Sequence, residues 1–352
     1  MLIRLPAAAA VIALLSFGPS SLAQTPAQTA PSQTPAAPTT PPAAPAVYVP
    51  TSLTPEPGTP RTPDGRPDLQ GAVWAANFFP VFESTPMSAA LTVPEPEAKK
   101  MVEMMIAGFK KSVGPTLELD PEAEDLLTNV DGFPLVRGER RTRLVVMPAD
   151  GKVPMKPEVR KDISSSNPMS IGALDNPEQR PINERCLALN ARPPMATPIA
   201  YVRFQFVQTP THVVIHSEDG DESRIIPYAA THAAAVTPNW LGDAIARWEG
   251  DTLVVETIRA PKQGRIRGFN NFVVTPDSKV IERFTRLSST ELLYQFTVED
   301  PALYTAPWLA EYSLYKADSR MFPGNCHGGN YSLPNILQGA RVADAKAVKA
   351  KK

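Results

Sequence analysis

AYVRFQFVQTPTHVVIHSEDGDESRIIPY (residues 200–228) and WLGDAIARWEGDTLVVETI (240–258) are the stretches that decide the fold of this chain. Each is a series of short segments rich in β-branched and aromatic residues, broken at Thr209-Pro210, Asp219-Gly220-Asp221 and Glu249-Gly250-Asp251. The punctuation continues through Thr275-Pro276-Asp277, Ser288-Ser289 and Asp300-Pro301. Between these turns the pattern predicts strands over Tyr201–Gln208, His212–Glu218, Ser223–Tyr228, Asp243–Trp248, Thr252–Ile258, Asn270–Val274, Lys279–Leu287, Glu291–Glu299 and Glu311–Lys316. With no long amphipathic helix between them, they read as an antiparallel up-and-down meander. Closing on itself is the usual way for such a meander to hide its edges. The expectation is a mainly β barrel or strongly curled sheet over 184–341, able to hold one small molecule inside.

Working back from the meander, Met1–Arg4 carry one positive charge, Ala7–Phe17 are apolar, and Ser21-Leu22-Ala23 supplies small residues for cleavage. This is the layout of a signal peptide over 1–23, too short to span a bilayer, and it implies a periplasmic or secreted protein with no integral span once cleaved. Residues 24–60 are almost all Pro, Ala, Thr, Gln and Ser, a composition expected to stay a disordered linker. Residues 61–183 should form a helical and extended segment packed on the barrel. Gly71–Trp74 reads as a short strand, and Thr92 as the N-cap of an amphipathic helix ending at Gly114-Pro115. Asp120–Leu127 reads as a second short helix. Asp150-Gly151 is a hairpin signal that would pair Arg143–Met147 with Val153–Lys156. Beyond the meander, Ser332–Gln338 reads as a capping helix, and 342–352 as a frayed tail.

Charge and composition narrow the function. A net charge of −1 and a single basic cluster, Arg137–Arg143, leave no footprint for nucleic acid. The two cysteines, Cys186 and Cys326, flank the meander, and in an exported protein they are most simply one disulfide, with a catalytic thiol as the alternative. The four histidines show no HxH or HExxH spacing, and His212 and His216 lie too far apart along one strand face to chelate an ion, so no metal site is expected. No glycine-rich phosphate loop or GxSxG elbow occurs, and no cofactor is called for.

Alternation along the strands supplies the candidate site residues. Glu256 and Glu282 stand among apolar neighbours, where a buried carboxylate needs a partner or a raised pKa. Arg283 and Arg286 are available as partners. His232 lies on a loop with Trp240 downstream, where a general base or a ligand hydrogen bond could sit. The candidate catalytic residues are therefore His232, Glu256 and Glu282, with Trp240, Arg283 and His216 as ligand contacts.

Several phrases carry a resemblance: RTPDGRPDLQG (61–71), ERC (184–186), FQFVQTPTHVVI (204–215), RIIP (224–227), WLGDAIARWEGDTLVVET (240–257), VIERFTR (280–286), FTVEDPALYTAPW (296–308) and CHGGNYSLPNILQGAR (326–341). From Arg61 to Arg341 the chain resembles a family of uncharacterised exported bacterial proteins whose meander is similar to calycin (lipocalin-like) barrels, which bind small apolar ligands. It departs from the family at Gly328, where a Glu is common, and at Ala229-Ala230-Thr231 before His232. The resemblance implies fold and export and no particular activity. Two functions follow as expectations: an exported β-barrel that binds a small, largely apolar or aromatic molecule, or a periplasmic or secreted lyase, isomerase or hydrolase that uses the same pocket with His232 as general acid/base.

Overall fold

The computed structural model describes residues 51–350 except 77, 79–80, 87–88, 114–131, 166–175, 181–184, 188–190, 196–201, 219, 221, 235–239, 261–271 and 325. The expected signal peptide, most of the linker and the helix at Asp120–Leu127 lie outside the described residues. The fold is mainly β with antiparallel strands, as the turn pattern implies. Eight of the expected strands form a meander broken once: β6 (Arg203–Gln208), β7 (His212–Ser217) and β8 (Glu222–Pro227), then β9 (Asp243–Glu249), β10 (Thr252–Ile258), β11 (Lys279–Arg286), β12 (Glu291–Glu299) and β13 (Trp308–Ala317). The expected strand at Asn270–Val274 is not formed over its described part, because both polar groups of the Val273 backbone are bonded to the Tyr304 hydroxyl instead of a ladder.

What joins the two halves comes from outside the meander. β1 (Val73–Ala75) lies between β6 and β13 and pairs antiparallel with both, so the order is β8-β7-β6-β1-β13-β12-β11-β10-β9. Every ladder neighbour along this path is antiparallel. Nine strands alternating in direction leave the two edges, β8 and β9, running the same way. A parallel pair bonds less well and needs a crossover of a dozen or more residues. The ladder accordingly does not close. β8 and β9 meet only at an isolated parallel bridge, Tyr228 to Ala246, with the Ala229 N–H donating to the Ala246 carbonyl at 3.2 Å. The connection between them is the segment that carries His232 and Trp240.

The sheet nonetheless curls until distant strands touch. Phe206 on β6 meets Phe284 on β11 edge-on at 5.3 Å. Phe284, Tyr294, Phe296, Trp308 and Tyr312 continue the aromatic cluster, all fully buried or nearly so. A strap, Ala191–Met195, enters this interior. The Met195 N–H donates to the Tyr294 hydroxyl (2.8 Å), and the Tyr312 hydroxyl donates to the Met195 carbonyl (2.6 Å). The disulfide Cys186–Cys326 is formed and spans 140 residues, tying the approach to the strap to the segment after β13.

Three further local readings are corrected. β5 (Val145–Met147) pairs with β13, and Met155 bridges Tyr304, so Asp150-Gly151 does not close a hairpin between them. Thr92 belongs to β2 (Thr92–Val93), which pairs with β4 (Glu139–Arg141), itself paired with β3 (Leu135–Val136). The helix α1 (Glu95–Val113) starts under the Pro94 carbonyl. After α2 (Pro157–Ser165), the terminal helix α3 runs Ser332–Ala350, well past Gln338. The last residues of the expected linker are packed as well: the Glu56 N–H donates to the Leu287 carbonyl, and Thr51 donates to the buried Glu311 carboxylate. No described helix is long and apolar enough to cross a membrane.

Candidate functional site

Register on β10 and β11 sorts the candidate residues. Glu282 sits opposite Val255, and Glu256 opposite Ile281. Paired residues share a face, so the two glutamates project to opposite sides of the sheet. They cannot act in one pocket.

Glu282 faces the core and is fully buried. Its partner is Arg224 on β8, which donates from Nη1 to Oε1 at 3.1 Å and from Nη2 to Oε2 at 2.5 Å. The Tyr294 hydroxyl donates to Oε1 at 2.8 Å. Arg224, 3% exposed, also reaches the Thr257 hydroxyl from Nη2, while its Nε is buried with no hydrogen-bond partner. The expected partners are corrected. Arg283 faces outward and bonds Glu249 (2.7 Å), and Arg286 stacks over Trp74 and donates to the Ser288 and Ser289 carbonyls. Burial, then the neighbouring Glu282, holds the Tyr294 and Tyr312 hydroxyls well above the ordinary tyrosine range. Arg192 in the strap, almost wholly buried, is pushed down to about 10 by desolvation, partly offset by Glu222.

Glu256 belongs to a separate cluster on the outer face. His232 Nδ1 lies 3.0 Å from Asp243 Oδ2, and its Nε2 lies 3.5 Å from Glu256 Oε1. That Nε2 is buried and makes no hydrogen bond. Arg259 bonds the same Asp243 oxygen at 2.9 Å, and Arg247 stands 4.0 Å from Glu256. A carboxylate thus lies near each ring nitrogen, a setting in which an imidazole can take up and release a proton. Of the three candidate catalytic residues the structure brings His232 and Glu256 together, leaves Glu282 on the other face, and adds Asp243, three residues beyond Trp240.

The other expected contacts are scattered. His216 bonds the Ser223 hydroxyl (2.9 Å), and Trp240 is exposed beneath the Arg185 guanidinium at 5.9 Å. Among the described residues no group of three or more His, Cys, Asp and Glu side chains is placed to hold a metal ion.

Between the two clusters lies the gap in the sheet. A cavity of about 220 Å³ is lined by Ser223, Arg224, Ile225, Ile226, Leu241, Gly242 and Ala244, the facing edges of β8 and of the approach to β9. Gly242 is required there: its φ is +76°, and a Cβ would stand 2.8 Å from Thr257 Cγ2 and 3.0 Å from the Ile258 carbonyl oxygen. A second cavity of about 290 Å³, at the turn after β12, is walled by charges already in use. Lys279 pairs with Glu299, and Asp300 accepts from the Thr275 and Ser278 hydroxyls. No family model, curated protein or solved structure matches this chain.

Proposed function

We propose that this is an exported protein that binds a small, largely apolar or aromatic molecule in a lipocalin-like barrel whose wall is unlaced at one seam, with the ligand lodged at that seam. The leader-like Met1–Ala23 and the disulfide support export to the periplasm or beyond. The resemblance to exported calycin-like proteins supports the barrel reading, as does the convergence of β8 and β9 at Tyr228 and Ala246. One observation carries the binding site: a cavity of about 220 Å³, lined by aliphatic side chains together with Ser223 and Arg224, opens where the two sheet edges part. The interior is packed by aromatic rings and the strap, which favours the seam over the centre.

The test is mass spectrometry of small molecules that copurify with the protein from its native compartment, repeated with Leu241→Trp, which fills the cavity. A compound retained by the wild type and lost from the variant supports the reading; one held equally by both places binding elsewhere and refutes it.

A second reading rests on its own observation, the buried, unbonded Nε2 of His232 beside Asp243 and Glu256. In this reading the protein is an enzyme with His232 as general acid/base. Asp243 follows Gly242 and precedes Ala244, so the cluster adjoins the cavity through β9 while facing outward. His232→Ala would then abolish turnover of the copurified compound with its affinity unchanged, and unchanged turnover would exclude the role.

A further inference from the structure

Arg224 poses a question that its ion pair does not answer. A buried N–H without a partner costs about 1–3 kcal/mol, and folded proteins rarely leave one so. Two of the three guanidinium nitrogens are taken by Glu282 and Thr257, yet Nε is buried and bonds to nothing, and the same residue lines the seam cavity.

The surrounding charge decides what could satisfy it. Arg224 and Glu282 neutralise one another, so a second anion beside them would face the Glu282 carboxylate without a free counter-charge. A cation would meet the guanidinium. The free edge of β8 adds fixed polar groups. Tyr228 donates its N–H to Thr211 on the β7 side, and Ala229 donates to Ala246 on the β9 side. By the alternation of an antiparallel ladder, the peptide groups of Ser223 and Ile225 therefore face the gap. Around them Ile226, Leu241 and Ala244 offer only aliphatic surface.

Resting on the seam-binding reading above, we infer that the ligand is uncharged and carries a carbonyl group, which accepts from Arg224 Nε while its apolar body lies against Ile226, Leu241 and Ala244. Arg224 is here a specificity residue, and the buried pair with Glu282 is what makes the site select against ions.

The experiment titrates the full chain with three probes of one shape, acetophenone, ethylbenzene and benzoate, and follows the Arg224 Nε–H and the Ile225 and Leu241 amide resonances by NMR. The expected result is acetophenone binding about tenfold more tightly than either of the others, one charge-assisted hydrogen bond's worth, with the Nε–H resonance displaced only by the ketone. In an Arg224→Met/Glu282→Gln double variant, which removes both charges together, acetophenone and ethylbenzene should bind alike. Should that variant fail to fold, the wild-type ratio and the Nε–H shift decide alone. Equal binding of the ketone and the hydrocarbon, with the Ile225 and Leu241 resonances moving, would overturn the carbonyl assignment and leave the cavity reading standing. Benzoate binding most tightly would overturn the selection against anions. No movement of either amide with any probe would bring down both.

Discussion

Two glutamates one register step apart on β10 and β11 meet opposite fates. Glu282 points into the core, has no contact with water, and is closed in by Arg224, Tyr294 and the strap that Tyr294 holds. Glu256 points out, is a quarter exposed, and shares its surroundings with His232, Asp243, Arg247 and Arg259. The residue type is the same and the strand neighbours are similar. What differs is which way the pleat turns each side chain, and that alone makes one carboxylate a buried counter-ion and leaves the other in a part-exposed cluster of charged side chains.

The sharpest way to break the comparison is Glu282→Ala, which strands a buried guanidinium. A loss of about 3–5 kcal/mol in denaturant unfolding is expected, against a much smaller loss for Arg224→Met/Glu282→Gln, where the pair leaves together. Equal losses would mean that the pair is not what holds the seam. Tyr294→Phe leaves the Glu282 carboxylate and the Met195 N–H each short of a partner, and should cost about 1–3 kcal/mol.

Alkali probes the same inner cluster. The folded state keeps Tyr294 and Tyr312 protonated above their unfolded range, so their contribution is complete below about pH 10 and is lost as pH climbs beyond it. Phenolate absorbance from these rings should therefore appear together with unfolding. A gradual rise while the fold persists would show them to be accessible.

The outer cluster should respond far less. His232→Ala should cost about 1 kcal/mol or less, and a larger loss would make it a structural clasp of the β8–β9 crossover. Smallest of all is Arg283→Ala. Its hydrogen bond to Glu249 holds that carboxylate below the usual range, so the stabilisation is present above the unfolded value and fades as pH falls through the folded one. Since both partners are largely exposed, about 0.2–1 kcal/mol is expected, shrinking further in salt.

The alternation and turn residues of 203–317 determine by themselves that the chain is mainly β and antiparallel, because side-chain period and glycine, proline and aspartate at turns are local properties. The single disulfide is equally legible, from the cysteine count and the leader-like composition of Met1–Ala23. Neither property reveals strand order. A three-residue strand, Val73–Ala75, far from the meander in sequence, joins its two halves and brings the path from β8 to β9 to nine strands; that odd number makes β8 and β9 run parallel, and they meet only at a single bridge. Arg224 was hidden for the same reason: its partner Glu282 is 58 residues away and meets it only because the sheet curls. Asp243 had a signal in the sequence, a carboxylate opening the strand after the His232 loop, but only the crossover brings it under the ring. Local chemistry selected the elements, and long-range register decided which of their side chains meet.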